Sequence, residues 1–104
     1  EFIHAEDVGD LTQHLLEEYE GTEPVILSNS EEVSIRQLVR IIVDAMGYEG
    51  RVIFNANQPD GQLRKPTSNS KLQEIVPNYR FTPLSKGIKY TVKWFIKNYE
   101  TCRK

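Results

Sequence analysis

"SIRQLVRIIVDAMGYEGRVIF", residues 34–54, decides the fold class. Ser34 and Gln37 have the spacing of a capping box, in which serine accepts from the N3 amide and glutamine reaches back to the N-cap amide. Leu38, Val39, Ile42 and Met46 then recur at helical spacing. Gly47 closes the helix, since glycine enters the left-handed conformation without penalty. Soon afterwards Arg51-Val52-Ile53-Phe54 has the β-branched and aromatic character of a strand. A helix handing over to a strand predicts α/β, or α+β in isolation, rather than an all-helical or all-β chain.

Working outward, residues 2–4 read as a short strand and Asp7 as the N-cap of a first helix. Val8, Leu11, Leu15, Leu16 and Tyr19 form its apolar face, and Gly21 ends it. Val25-Ile26-Leu27, after Pro24, reads as a short buried strand. Asn69 or Ser70 caps a short helix over 71–75, which Pro77 cannot extend. Thr82-Pro83 opens a last helix, with proline at a position where its missing N–H costs little. Leu84, Ile88, Val92, Phe95 and Tyr99 make its apolar face, while Lys86, Lys89, Lys93 and Lys97 lie largely off it. The expectation is short strands with about four helices. So meagre a sheet leaves exposed edges, and the chain opens without Met directly on Phe2-Ile3, so it reads as part of something larger.

With 104 residues the chain is one domain at most. Its composition, 38% hydrophobic and 27% charged, is that of an ordinary soluble protein. It has no apolar run of membrane-spanning length, and its opening residues lead us to expect no signal peptide. A net charge of −2 argues against general nucleic-acid binding. One cysteine, Cys102, forms no internal disulfide, and with two widely spaced histidines it makes no zinc site.

Few residues suggest chemistry. His14 lies between apolar positions of the first helix, and His4 stands beside Glu6 and Asp7 with no nucleophile nearby in sequence. A catalytic histidine needs a partnered constellation, so both read as structural. Glu17-Glu18 and Glu31-Glu32 read as surface acids. No glycine-rich phosphate loop occurs, and Tyr90 and Lys93 are three apart rather than four, so no catalytic or cofactor-binding residue is expected.

The stretch from Phe54 to Asn69, "FNANQPDGQLRKPTSN", remains. Pro59-Asp60-Gly61 is an ordinary turn tripeptide. The length is less ordinary, because loops beyond about 12 residues are uncommon in compact domains unless functional or disordered. Asp60 supplies an acceptor for hydroxyl groups, and Arg64 and Lys65 supply cations for an anion. A plain turn and an anion site both remain open on these residues alone.

"EFIHAEDV", "VSIRQLVRIIVDAMGYEGRVIF", "PDGQLRK" and "SNSKLQEIVPNYRFTPLSKGIKYTVKWFIKNYE", in this order, resemble the GDP-L-fucose synthase family of extended short-chain dehydrogenase/reductases. The resemblance covers essentially the whole chain. It implies a C-terminal nucleotide-sugar-binding domain over residues 1–104, with the N-terminal Rossmann domain that holds NADP(H) absent. It further implies a cytoplasmic parent enzyme, homodimeric through that missing domain, that converts GDP-4-keto-6-deoxymannose to GDP-L-fucose by epimerisation and NADPH-dependent reduction. The family's catalytic residues fall outside these 104 residues, so the chain alone is expected to be inactive. Asp60 carries over as an acceptor for guanosine donors and Lys65 as a diphosphate contact. Arg64 either shares that contact or points to solvent, and Gly61 lets the backbone approach the ligand. The rival is a non-enzymatic α/β module of a related epimerase fold, binding another nucleotide sugar, or a protein through its basic last helix.

Overall fold

The computed structural model describes residues 1–55, 57 and 61–103. Four helices follow one another: α1 (Ala5–Glu18), α2 (Ile35–Met46), α3 (Ser70–Ile75) and α4 (Leu84–Lys97). Among the described residues there is no strand. The segments expected as strands, 2–4, 25–27 and 51–54, are the correction to the α/β expectation. No backbone–backbone hydrogen bond links them to one another. Their β-branched composition favours an extended backbone, but a ladder also needs a partner in register, and propensity alone supplies none.

The expected caps of α2 are present. Ser34 Oγ accepts from the Gln37 amide at 3.2 Å, while Gln37 Oε1 accepts from the Ser34 amide at 2.8 Å. Gly47 sits at φ 61°, where a side chain would be strained. The apolar stripe that begins inside this well-capped helix packs against α4, the main helix–helix contact of the molecule. Proline stands at the N-cap of α4, one residue before the position expected for it.

Asp7 departs from its expected capping role. His4 occupies the N-cap of α1 and makes no side-chain cap there. Asp7, 6% exposed, instead accepts from the Thr82 amide at 2.8 Å and from Thr82 Oγ1 at 2.7 Å. A buried carboxylate must be neutralised by donors, and here the donors come from the start of α4, so α1 and α4 are pinned together. Tyr79 completes the joint: its hydroxyl faces the Asp7 carbonyl at 3.4 Å, and its ring meets Phe81 edge-on at 5.0 Å between centroids. Burial first, and then the Asp10 and Asp7 carboxylates, push its phenol up to about 12. Nearby, Gly87 permits the His4 imidazole to lie on α4, since a Cβ there would stand 3.3 Å from the ring.

The fully buried apolar side chains are Leu11 on α1 and Leu72 on α3. Around this small core the molecule is open. It exposes 8776 Å², against about 6,000 Å² for a compact monomer of this mass. Its radius of gyration is 16.6 Å, where a compact chain of 104 residues has about 13 Å. Much of the excess is apolar, with Leu16, Ile35, Trp94 and Ile96 all more than half exposed. No helix among the described residues is long and apolar enough to cross a membrane.

Candidate functional site

A cleft of about 320 Å³ lies where three irregular segments meet, and it is lined by Glu1, Phe2, Ile3, Ile26, Leu27, Ser28, Asn29, Lys65 and Thr67. Phe2, Ile3, Ile26 and Leu27 supply its apolar part. Serine, asparagine and threonine supply the rim, because their side chains bond to neighbouring backbone and so favour turns over helices. Ser28 Oγ accepts from the Ser30 amide at 2.9 Å, and Asn29 Oδ1 accepts from the Glu31 amide at 3.0 Å. Ser30 stands at φ 56°, a left-handed position for a residue with a side chain. Asn69, 6% exposed, donates from Nδ2 to the Ser28 carbonyl at 2.8 Å, tying the 64–69 segment to the 28–30 turn.

The strongest knot in the rim is the Glu1 carboxylate. It accepts from the Thr67 amide at 2.9 Å, from Ser28 Oγ at 2.7 Å and from the Thr67 hydroxyl. These bonds, the Thr67 amide foremost, bring its carboxyl down to about 2. The carboxylate is thus ionised near neutral pH and spends its lone pairs on the protein.

Two cations adjoin this knot, and they differ. Arg64 grips Glu32: Nε donates to Oε1 at 2.8 Å and to Oε2 at 3.0 Å, and the Nη2 group donates to Oε2 as well. The fork of the guanidinium matches a carboxylate. The Arg64 bonds lower the Glu32 carboxyl, and the Glu32 bonds raise the Arg64 guanidinium further. Lys65 lines the cleft with no ion pair among the described residues. Arg64 is therefore neutralised in place, whereas Lys65 has no such partner among the described residues. Glu32, expected as a bare surface acid, has a partner 32 residues away.

Of the other expected site residues, Asp60 lies outside the described residues. Gly61 is exposed, and a Cβ there would meet nothing within 4 Å, so any need for glycine must come from a ligand. The histidines stand apart. His4 Nε2 is buried without a hydrogen-bond partner, 3.6 Å from a Glu6 carboxylate oxygen, and packs beside the Tyr90 ring. His14 Nδ1 lies 3.4 Å from Glu18 Oε1 on the same helix. Cys102 Sγ contacts the Tyr99 carbonyl at 3.6 Å. Among the described residues, no cluster of His, Cys, Asp and Glu is placed to hold a metal ion.

Glu1, Ser28 and Thr67 are the residues that sequence reading passes over, while Asn69, read as a cap, stands at the N-cap of α3 with no side-chain cap bond. The signal was present in outline: the polar runs 28–30 and 67–70 both have the composition of backbone-binding turns. Their pairing across 41 residues was not visible.

No family model matches the chain. Along its whole length it is 42% identical to GDP-L-fucose synthase of Dictyostelium discoideum, which it covers to 33%. The chain is homologous to GDP-L-fucose synthases. The probable GDP-L-fucose synthase of Drosophila melanogaster is 38% identical over 100% of the chain and 33% of the relative. The GDP-L-fucose synthase of Escherichia coli is 30% identical over 99% of the chain and 35% of the relative. The crystal structure of a GDP-L-fucose synthetase from Naegleria fowleri superposes on 99% of the chain with a TM-score of 0.93 and 36% identity, using 33% of that protein. The chain thus spans about one third of the length of the GDP-L-fucose synthases it matches. Among the described residues, the four helices without a strand match about a third of the solved Naegleria fowleri structure.

Proposed function

We propose that residues 1–104 are the C-terminal nucleotide-sugar-binding domain of a GDP-L-fucose synthase, and that the cleft beside Lys65 receives the diphosphate of a GDP-sugar. The observation that carries this is the division of labour between the two adjacent cations: Arg64 is consumed by Glu32, while Lys65 lines the cleft with no ion pair among the described residues. An ammonium on a flexible stem suits a diphosphate, whose charge is spread over several oxygens. Gly61 fits a backbone that approaches the ligand, and Asp60 is assigned to the guanosine donors by the family resemblance. The whole enzyme would epimerise GDP-4-keto-6-deoxymannose and reduce its 4-keto group with a hydride from NADPH.

In that reading NADP(H) is held by an N-terminal Rossmann domain, which also supplies the homodimer contact and the catalytic residues. The chain by itself then has no turnover, and the parent works in the cytoplasm. Support comes from the surface: about 2,800 Å² more is exposed than a compact chain of this size shows. That area is within the range of extensive permanent interfaces. The basic face of α4 offers the rival reading less, since Lys86 lies over the Tyr90 ring of its own helix, 5.6 Å from the centroid.

A titration of the isotope-labelled chain with GDP, with ADP as control, tests this by NMR. The expected result is a set of shifts centred on residues 58–67, stronger with GDP than with ADP and lost in Lys65→Ala. Equal binding of the unmodified chain and Lys65→Ala overturns the assignment, as does the absence of shifts with either nucleotide.

A further inference from the structure

We propose that Glu1 is a positioning residue for the nucleotide-sugar site: its carboxylate ties down the backbone that carries Lys65. This rests on the assignment of Lys65 to the diphosphate. Three donors converge on that carboxylate from two segments far apart in sequence, the Thr67 amide and hydroxyl and the Ser28 hydroxyl. Thr67 is two residues beyond Lys65, and Pro66 between them has a fixed φ. Fixing the Thr67 amide therefore fixes the chain direction at Lys65. From the other side, Asn69 holds the same segment to the Ser28 carbonyl at 2.8 Å. The Lys65 side chain thus springs from a short span whose far end is tied to the 28–30 turn directly through Asn69 and, by way of Glu1, through Thr67.

Charge makes the assignment decisive. A carboxylate on the rim of an anion cleft repels the ligand, and an ionised Glu1 would weaken diphosphate binding if charge were its whole contribution. The observed bonding turns that liability into an anchor, because lone pairs that accept from Thr67 and Ser28 are already engaged by the protein. Glu1 lines the same cleft as Lys65. Removal of its charge therefore has opposite consequences under the two accounts. A residue that only repels gives tighter GDP binding as Glu1→Gln. A residue that positions Lys65 gives weaker binding despite the lost repulsion.

The experiment measures GDP affinity by NMR for the chain and for Glu1→Gln, Thr67→Val, Thr67→Ser, Lys65→Ala and the Glu1→Gln/Thr67→Val double variant. Positioning predicts that Glu1→Gln and Thr67→Val each weaken GDP by about tenfold or more, the scale of a lost charge-assisted hydrogen bond. The double variant is then no worse than the singles, since both cut one tie. Thr67→Ser, which keeps the hydroxyl, restores affinity. Hydrogen exchange at the Thr67 amide quickens in Glu1→Gln.

Should Glu1→Gln fail to fold, the Thr67→Val and Thr67→Ser pair at an exposed position decides alone. Tighter or unchanged GDP binding in Glu1→Gln or Thr67→Val, with binding lost in Lys65→Ala, overturns the positioning role and leaves the functional reading standing. Absence of GDP binding by the unmodified chain, or full affinity in Lys65→Ala, overturns the functional reading and this inference together.

Discussion

Replacing Asp7 tests the joint that holds α1 to α4. Its carboxylate receives the Thr82 amide at 2.8 Å and the Thr82 hydroxyl at 2.7 Å in a largely dry position. A hydrogen bond to a charged group contributes about 1.5–3 kcal/mol, and a donor left unsatisfied on burial costs about 1–3 kcal/mol. Both donors belong to one part-buried residue, so their losses overlap, and we expect Asp7→Ala to cost about 2–4 kcal/mol in total. Against a total stability of about 5–15 kcal/mol, typical of domains, that is a large share.

The competing explanation is an interaction with the helix dipole. Asp7 lies in the first turn of α1, where a carboxylate contributes only about 0.3–1 kcal/mol. Urea unfolding followed by far-UV circular dichroism separates the two. With a slope of about 2 kcal/mol/M, the midpoint should fall by about 1–2 M in Asp7→Ala. Asp7→Asn, which keeps one acceptor oxygen but no charge, should fall between. Thr82→Val should lose part of the same energy and add little on top of Asp7→Ala. A loss below about 1 kcal/mol in Asp7→Ala would show that the dipole is the whole effect and that the tertiary joint is idle.

Two further outcomes follow from the core and from the Tyr79 phenol. Leu11→Ala, at a side chain with no exposure, should cost about 2–5 kcal/mol, whereas Leu16→Ala, 83% exposed, should stay within about 0.5 kcal/mol; comparable losses in the two would mean that Leu16 is covered in solution. The Tyr79 phenol, pushed up to about 12, binds its proton more tightly in the folded chain than in the unfolded one. Its contribution to stability is complete below the unfolded value near 10 and drains away as pH rises toward about 12. An ultraviolet titration should find Tyr79 ionising above an ordinary tyrosine, and Tyr79→Phe should flatten the alkaline fall in stability; a Tyr79 that ionises near 10 would contradict its burial.

The local devices were legible because they need only neighbours in sequence. The Ser34–Gln37 capping box and the left-handed Gly47 involve residues within one or two turns, and α2 begins and ends where the pattern puts it. The strands were misread because a β-branched run such as 51–54 signals extended backbone, whereas a strand needs a partner that this chain does not place beside it. Asp7 misled in a related way. Its type and position match an N-cap, yet a carboxylate bonds the donors that folding brings near, and those lie 75 residues on.

The sequence by itself determined the number and order of the helices, the cap chemistry of α2 and the relationship to GDP-L-fucose synthases, all encoded in residue order. It also placed a carboxylate and two cations in one loop. Only the tertiary structure decided that Arg64 is neutralised, since its partner Glu32 comes from another segment, and only it revealed Glu1 as the anchor of Thr67. Electrostatic roles depend on distances between residues remote in the chain, and those distances exist only once the chain has folded.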